Sequence, residues 1–224
     1  MRSMTKGCIV FAVLMLITVV PSFANPVASR AALDALLGGS AVTEDYEAFA
    51  VSPGDQAGVS ANPLNNASSG GLIVPGLSFE PLGTVEYGSP IYVAASGYFS
   101  IASDALLAGA PGISINFTNF TQAFGMDVFQ YAGYASRGYI NIWQGATLLG
   151  NAVLSFPDAP SFTFVGWEDA GGITRVDLVD SSWSWSPIND NLTFGTYVVP
   201  EPATLLLLGT GLGIIGLAAW RKRK

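Results

Sequence analysis

From Glu44 onward, apolar and polar residues alternate in short runs broken by Gly, Pro, Asn and Ser. A period of two is that of a strand with one buried face. The pattern predicts strands at Asp45–Val51, Leu72–Phe79, Ile91–Ala95, Tyr98–Ala102, Ile113–Phe117, Ala123–Tyr131, Gly138–Gln144, Thr147–Phe156, Ser161–Gly166, Ile173–Val179 and Asn191–Tyr197. These runs are rich in Val, Ile, Phe, Tyr and Trp, with turn residues between them, as in an antiparallel sandwich. No long amphipathic helix separates them, which speaks against a βαβ arrangement. Pro53 to Gly71 is the longest expected loop. Residues 25 to about 42 carry one helical pattern, Ser29 to Leu37, with Leu33, Leu36 and Leu37 on one side and Gly38-Gly39 stopping it. It predicts a leader docked on the sandwich or loosely attached to it. No repeat of fixed period is visible.

Two apolar runs at the ends break this alternation. Arg2 and Lys6 precede Gly7 to Val20, and Pro21-Ser22-Phe23-Ala24 follows with small residues at the cleavage positions. Residues 1–24 therefore read as a secretory signal peptide cut after Ala24, with signal peptidase as the expected partner. Cys8 lies before the apolar run is under way, which does not fit a lipoprotein. The second run, Ala203 to Trp220, is 18 residues long. As a helix it would measure about 27 Å, enough for one transmembrane helix in a thin bilayer core. Arg221, Lys222, Arg223 and Lys224 close the chain and place that end in the cytoplasm by the positive-inside rule. The expected division is a signal peptide at 1–24, a leader at 25–43, a β-sandwich at 44–198 and a C-terminal segment at 199–224.

Setting both end segments aside changes the charge. Residues 25–200 hold three arginines, no lysine and fifteen acids, a net of −12. Such a surface repels phosphate backbones, so no nucleic acid is expected as a partner. The chain has no histidine, and its one cysteine, Cys8, lies in the signal peptide. Disulfides, Ser-His-Asp and Cys-His catalysis and His-bound zinc are thereby excluded from the exported part. A carboxylate pair remains for catalysis, and Glu168-Asp169 before Gly171-Gly172 is its candidate. Adjacent acids in a turn are more often solvated, so no catalytic residue is expected. Trp183 and Trp185, two apart on a strand, would share a face and could stack on sugar, although core packing is the favoured reading. The Asn-X-Ser/Thr triplets at Asn66, Asn116, Asn119 and Asn191 are short enough to arise by chance.

Pro200-Glu201-Pro202, the apolar run and the basic end together resemble the PEP-CTERM sorting signal of Gram-negative bacterial surface proteins. That resemblance implies processing near Pro200, Glu201 and Pro202 by an exosortase. It implies transient anchoring in the inner membrane, with the upstream domain outside, and a final place at the cell surface or beyond. Asp45-Tyr46-Glu47, Ile113–Phe117 with Phe124–Val128, Gly145–Gly150, Phe162–Trp167 and Asp190–Gly195 resemble secreted jelly-roll, galactose-binding-like domains. Asn189, where such closings usually carry an apolar residue, departs from the pattern.

The expected fold is thus a jelly-roll-like β-sandwich, and the expected role is non-enzymatic. It would be structural or adhesive, within the envelope or the extracellular polysaccharide. The rivals are a carbohydrate-binding module and a carboxylate-dependent hydrolase. Alternation places Glu47 with Phe49 and Val51, and Asp190 with Leu192 and Phe194. On inward faces these acids would need a partner, and oxygen ligands without His or Cys suit Ca²⁺. The jelly-roll resemblance adds a structural Ca²⁺ between the first and last strands. Pairing of either acid with Arg175, or solvation at a strand end, is the alternative.

Overall fold

The computed structural model describes residues 24–86, 88–182 and 185–197. These residues form twelve strands: β1 (Asn25–Pro26), β2 (Val42–Glu44), β3 (Gln56–Val59), β4 (Leu64–Asn65), β5 (Leu77–Leu82), β6 (Ile91–Ala94), β7 (Ala105–Ala108), β8 (Gly112–Phe129), β9 (Ser136–Gln144), β10 (Thr147–Phe156), β11 (Thr163–Asp180) and β12 (Ile188–Gly195). Helix α1 (Arg30–Leu37) lies between β1 and β2. The fold is mainly β, and all pairings between the strands are antiparallel.

Two 18-residue strands organise the sheet. The first half of β8 pairs with β5 on one side and with the second half of β11 on the other. That half of β11 also pairs with β9, and β9 with β10. The second half of β8 pairs with the first half of β11 and with β12. Beyond β12 the order runs β7, β6, β3. The register between β8 and β11 slips at Glu168/Ile173 and again at Ile173/Arg175. Such irregularities let a strand turn a corner and serve two layers. Gly172, at φ +96°, sits at this corner, where a Cβ would stand 2.6 Å from the Phe120 ring. Side chains of both halves meet in one core that includes Phe79, Val93, Leu106, Ile115, Phe124, Met126, Ile142, Trp167, Val176 and Leu192.

The leader is docked. Asn25 and Pro26 pair with Glu168 and Trp167. Helix α1 starts where expected, because the Ser29 side chain accepts the Ala32 N–H as an N-cap, and Gly38 (φ +52°) ends it. Leu33 and Leu37 pack with Ala123 of β8.

Several boundaries move. The strand expected at Asp45–Val51 is the preceding triplet, β2; Asp45–Val51 turns instead, and Tyr46 takes φ 60°. The Glu44 carboxylate captures the N–H of Tyr46 at 2.9 Å and of Val74 at 2.7 Å, which fixes the turn and outweighs the alternation. The strand expected at Tyr98–Ala102 holds a 3₁₀ turn at Tyr98–Ser100, and pairing resumes at β7, whose four residues are all buried and show no alternation. The expected loop at Pro53–Gly71 contains β3 and β4. Leu72 to Gly76 stays outside β5. Two pairs of expected strands, divided at 118–122 and at 167–172, are each one continuous bent strand. No helix among the described residues is long and apolar enough to cross a membrane. The expected spanning run, Ala203 to Trp220, and the signal peptide lie outside the described residues.

Candidate functional site

Two places bring chemistry together, and both are built on the long strands. At the first, Asp127 of β8 and Asp190 of β12 stand directly opposite each other in register. The register slips just after, at Asn191 (φ 51°), so the bulge turns this pair toward a depression of about 180 Å³. Ser103, Asn191 and the exposed Phe162 also line it. Asp190 accepts the Asn191 N–H at 2.6 Å, the Asn191 amide at 3.1 Å and the Ser103 hydroxyl. Asp127 faces Arg30 at 3.1 Å and the Asn191 amide at 3.3 Å. Burial first, then the charges of Asp127 and Glu47, push Asp190 up to about 6, against the lowering effect of its hydrogen bonds.

Glu47 reaches the same neighbourhood from the turn after β2. It is exposed, and its carboxylate accepts the Asp104 N–H at 3.0 Å. Glu47 and Asp190 are thus close enough to repel, and neither pairs with Arg175. No three carboxylates converge in a metal-binding arrangement among the described residues. The oxygens at hand besides the acids are the Ser103 hydroxyl and the Asn191 side chain. An oxygen set of this kind suits Ca²⁺ in ligand type.

The second place is the outward face of β10-β9-β11-β8-β5. Register aligns its side chains in rows across the strands. Asn151, Asn141, Asp177, Ser114 and Glu80 form the middle row. Leu148, Trp143, Arg175, Asn116 and Ser78 lie along one side of it. Val153, Tyr139, Val179, Gly112 and Leu82 lie along the other. With about 4.8 Å between strands, the face is roughly 19 Å wide. Its centre is fixed: Asp177 accepts the Trp143 indole N–H at 2.7 Å and the Ser114 hydroxyl at 2.6 Å. Arg175 lies 3.1 Å from the same carboxylate and 4.6 Å over the Trp143 ring. Tyr139 is 41 % exposed and Val153 82 %.

Trp185 packs against Tyr92, with ring centroids 5.1 Å apart, at the rim of a small apolar cluster. Trp183 lies outside the described residues, as do Pro200, Glu201, Pro202, Arg221, Lys222, Arg223 and Lys224. Asp169 is buried and caps the corner by accepting the N–H groups of Gly171 (2.8 Å) and Gly172 (3.1 Å), a structural duty for half of the Glu168-Asp169 pair. Asn189 is fully buried; it accepts the Tyr46 hydroxyl at 2.6 Å and donates to the Leu106 carbonyl at 2.8 Å. Its departure from an apolar residue therefore links the first turn, β12 and β7. The Trp143–Arg175–Asp177–Ser114 group was missed, though its signal lay in the alternation of Tyr139, Asn141 and Trp143 and of Arg175, Asp177 and Val179. What the sequence alone lacked was the register that sets these strands side by side.

Residues 198–224 match the PEP-CTERM protein-sorting motif. The chain is accordingly an exported protein that carries the recognition signal of an exosortase. No curated protein matches the chain. The K1 cleaved adhesin domain of Lys-gingipain from Porphyromonas gingivalis W83 is similar over 70 % of this chain and 99 % of its own, at 11 % identity and a TM-score of 0.35. The catalytic domain of a GH87 α-1,3-glucanase variant, solved with tetrasaccharides, is similar over 80 % of this chain and 29 % of its own, at 12 % identity and a TM-score of 0.30. At these TM-scores neither likeness bears on function.

Proposed function

Given the PEP-CTERM sorting motif at its C-terminus, we propose that this is a non-catalytic protein of the cell envelope or extracellular matrix, held by residues 203–220 until an exosortase acts. Its role in this reading is structural or adhesive, with extracellular polysaccharide as the partner. The observation that carries the partner is the outward face of β10-β9-β11-β8-β5. Two amides, a hydroxyl and two carboxylates are laid out there in a row beside Trp143 and Tyr139. Sugar rings offer hydroxyls to such a row and C–H faces to aromatic rings. The central group is held by its own hydrogen bonds, so little side-chain freedom is lost on contact. Selective binding to a glycan array by the secreted chain, lost in Asn141→Ala with Tyr139→Ala, tests this reading. Turnover of a glycan by the same protein would favour the hydrolase reading instead.

Within the same proposal, Glu47 and Asp190 bind a structural Ca²⁺ with help from Ser103 and Asn191. The support is that Asp190 is buried beside Asp127 at one depression with Glu47 close enough to act on it, a repulsion which a divalent cation would relieve. A melting midpoint unchanged by Ca²⁺ at neutral pH would remove that support.

A further inference from the structure

We propose that the corner of the two long strands, with Phe120 at its tip, rests against the lipid bilayer while the domain is still joined to residues 203–220. The inference rests on the reading above that this run spans the membrane.

The chain leaves the domain beside that corner and is pinned there. Gly195 donates its N–H to the Thr121 hydroxyl at 2.9 Å, and that hydroxyl donates to the Gly195 carbonyl at 2.6 Å. The Ser40 hydroxyl donates to the Thr196 carbonyl, and the Tyr197 N–H donates to the Gln122 side chain at 3.0 Å. From Tyr197 only six peptide steps remain to Ala203, the first residue of the apolar run. Fully extended, they reach about 20–22 Å. Phe120 lines one depression with Gly195 and Thr196, so it lies at the end of the domain that the tether holds nearest the bilayer.

The chemistry of this end fits lipid. Phe120 is 57 % exposed, and its ring sits on Gly172, where any Cβ would collide with it. The depression is lined by Ser40, Pro75, Gly76, Asn119 and Phe194 among others, with no charged residue. In a domain of net charge −12 this is the composition that can approach a bilayer without stripping water from a charge. Glu168 and the buried Asp169, on β11 across β8, act on Tyr197 rather than lining the depression. An exposed Phe ring can bury at the boundary of headgroups and acyl chains. The tether supplies a high effective concentration, so a weak contact suffices.

Phe162 provides the contrast. It is 59 % exposed, almost the same as Phe120, but it precedes Thr163, which pairs with Val128, and so stands nine strand residues from Phe120, about 30 Å by strand geometry. It lines the depression that holds Asp127 and Asp190. That end has equal apolar exposure but charges that oppose transfer toward hydrocarbon.

The test uses the full chain without its signal peptide, which is cysteine-free, inserted in nanodiscs of zwitterionic lipid carrying a headgroup quencher. A solvent-sensitive fluorophore is placed by Phe120→Cys, by Asn119→Cys with Phe120 kept, or by Phe162→Cys. Labels at 119 and 120 should be quenched about threefold or more over the label at 162, as expected of a residue held at the interface. Equal quenching in protein that co-migrates with the discs overturns the inference and leaves the spanning reading intact. Protein that does not co-migrate overturns both. If Phe120→Ser slows processing while the quenching contrast between Asn119→Cys and Phe162→Cys is absent, the corner is a protease-docking surface and the lipid contact is overturned.

Discussion

Asp177 and Asp190 are buried alike, each 4 % exposed, on strands that share β8 as a neighbour. Their surroundings differ in sign. Asp177 has a guanidinium 3.1 Å away and two strong neutral donors, so its charge is answered locally. Asp190 faces another carboxylate in register and has Glu47 beyond it, with only hydroxyl, amide and backbone donors in return. Burial sets the stakes of a charge, and the neighbours decide whether it stabilises or strains the fold. The Asp177 surface is a finished, rigid piece of architecture. The Asp190 depression is a place where the fold holds a charge at a penalty, which is the condition under which a proton or a cation binds.

Breaking the satisfied site should have the largest effect. Asp177→Ala leaves Arg175, the Trp143 indole and the Ser114 hydroxyl without their acceptor. A loss of roughly 3 kcal/mol is expected, because removing one partner of a buried charged group is far more harmful than the pair is helpful. For a domain of this size that lowers the melting midpoint by about 6–12 °C. A loss under about 1 kcal/mol in urea titration would mean that Arg175 finds water and that the two acids are less different than their surroundings.

The strained site is probed by pH. Asp190 keeps its proton to about pH 6 in the folded state, against 3.8 for an ordinary aspartate. Between those values the folded state holds the extra proton, so the stabilisation is complete below about pH 4 and is lost as pH rises through 6. A two-unit rise corresponds to about 3 kcal/mol, the upper end of the effect. Glu44, raised by its own burial, acts in the same direction. The charged groups around Asp190 are Asp127, which lines the same depression, Glu47, which acts on it from the turn after β2, and Arg30, paired with Asp127. Asp190→Asn should therefore flatten most of the fall in melting midpoint between pH 4 and 7. Under the calcium proposal, added Ca²⁺ should stabilise the wild type more at pH 7 than at pH 5, by about 1–2 kcal/mol at tenfold excess over the dissociation constant, with the melting midpoint rising accordingly. A wild-type midpoint that climbs steadily from pH 4 to 7 would contradict the strain.

Legibility followed the range of the interactions. The helix at 30–37 was readable because its cap and stop are local, Ser29 and Gly38. The β9–β10 hairpin was readable because two apolar-rich runs flank a turn at Gly145. Strand continuity across 118–122 and 167–172 was not, since a bent strand shows turn residues in mid-course. Of the candidate site, Asp190 was within reach because it stands in an alternating strand. Its closest opponent, Asp127, was hidden, because opposition across β8 and β12 depends on a register that only the bulge at Asn191 fixes. Glu44 was passed over for Glu47, although Glu44 is the buried one; nothing local announces that it will bind the N–H of Val74, thirty residues away.

The smallest effect should come from Arg30, and it discriminates most finely between the two acids. Arg30 is the cation paired with Asp127, the acid opposite Asp190: it lies 3.1 Å from Asp127, donates to the Thr193 hydroxyl at 3.1 Å and sits 5.3 Å over the Phe164 ring. Its side chain is about one-third exposed, so solvent screens much of its field. Arg30→Gln should lower stability by under about 1 kcal/mol at pH 7 and by less at pH 4.5. At the lower pH Asp190 is protonated, so Asp127 has one fewer charge to contend with. The same change should make the fall between pH 4 and 7 steeper, because Asp127 without its partner repels Asp190 more fully. Salt should mimic the mutation weakly in the wild type and do little in the mutant. Equal losses at both pH values would mean that Arg30 works through packing on Phe164 alone. The imbalance at Asp190 would then owe nothing to the leader helix that carries Arg30.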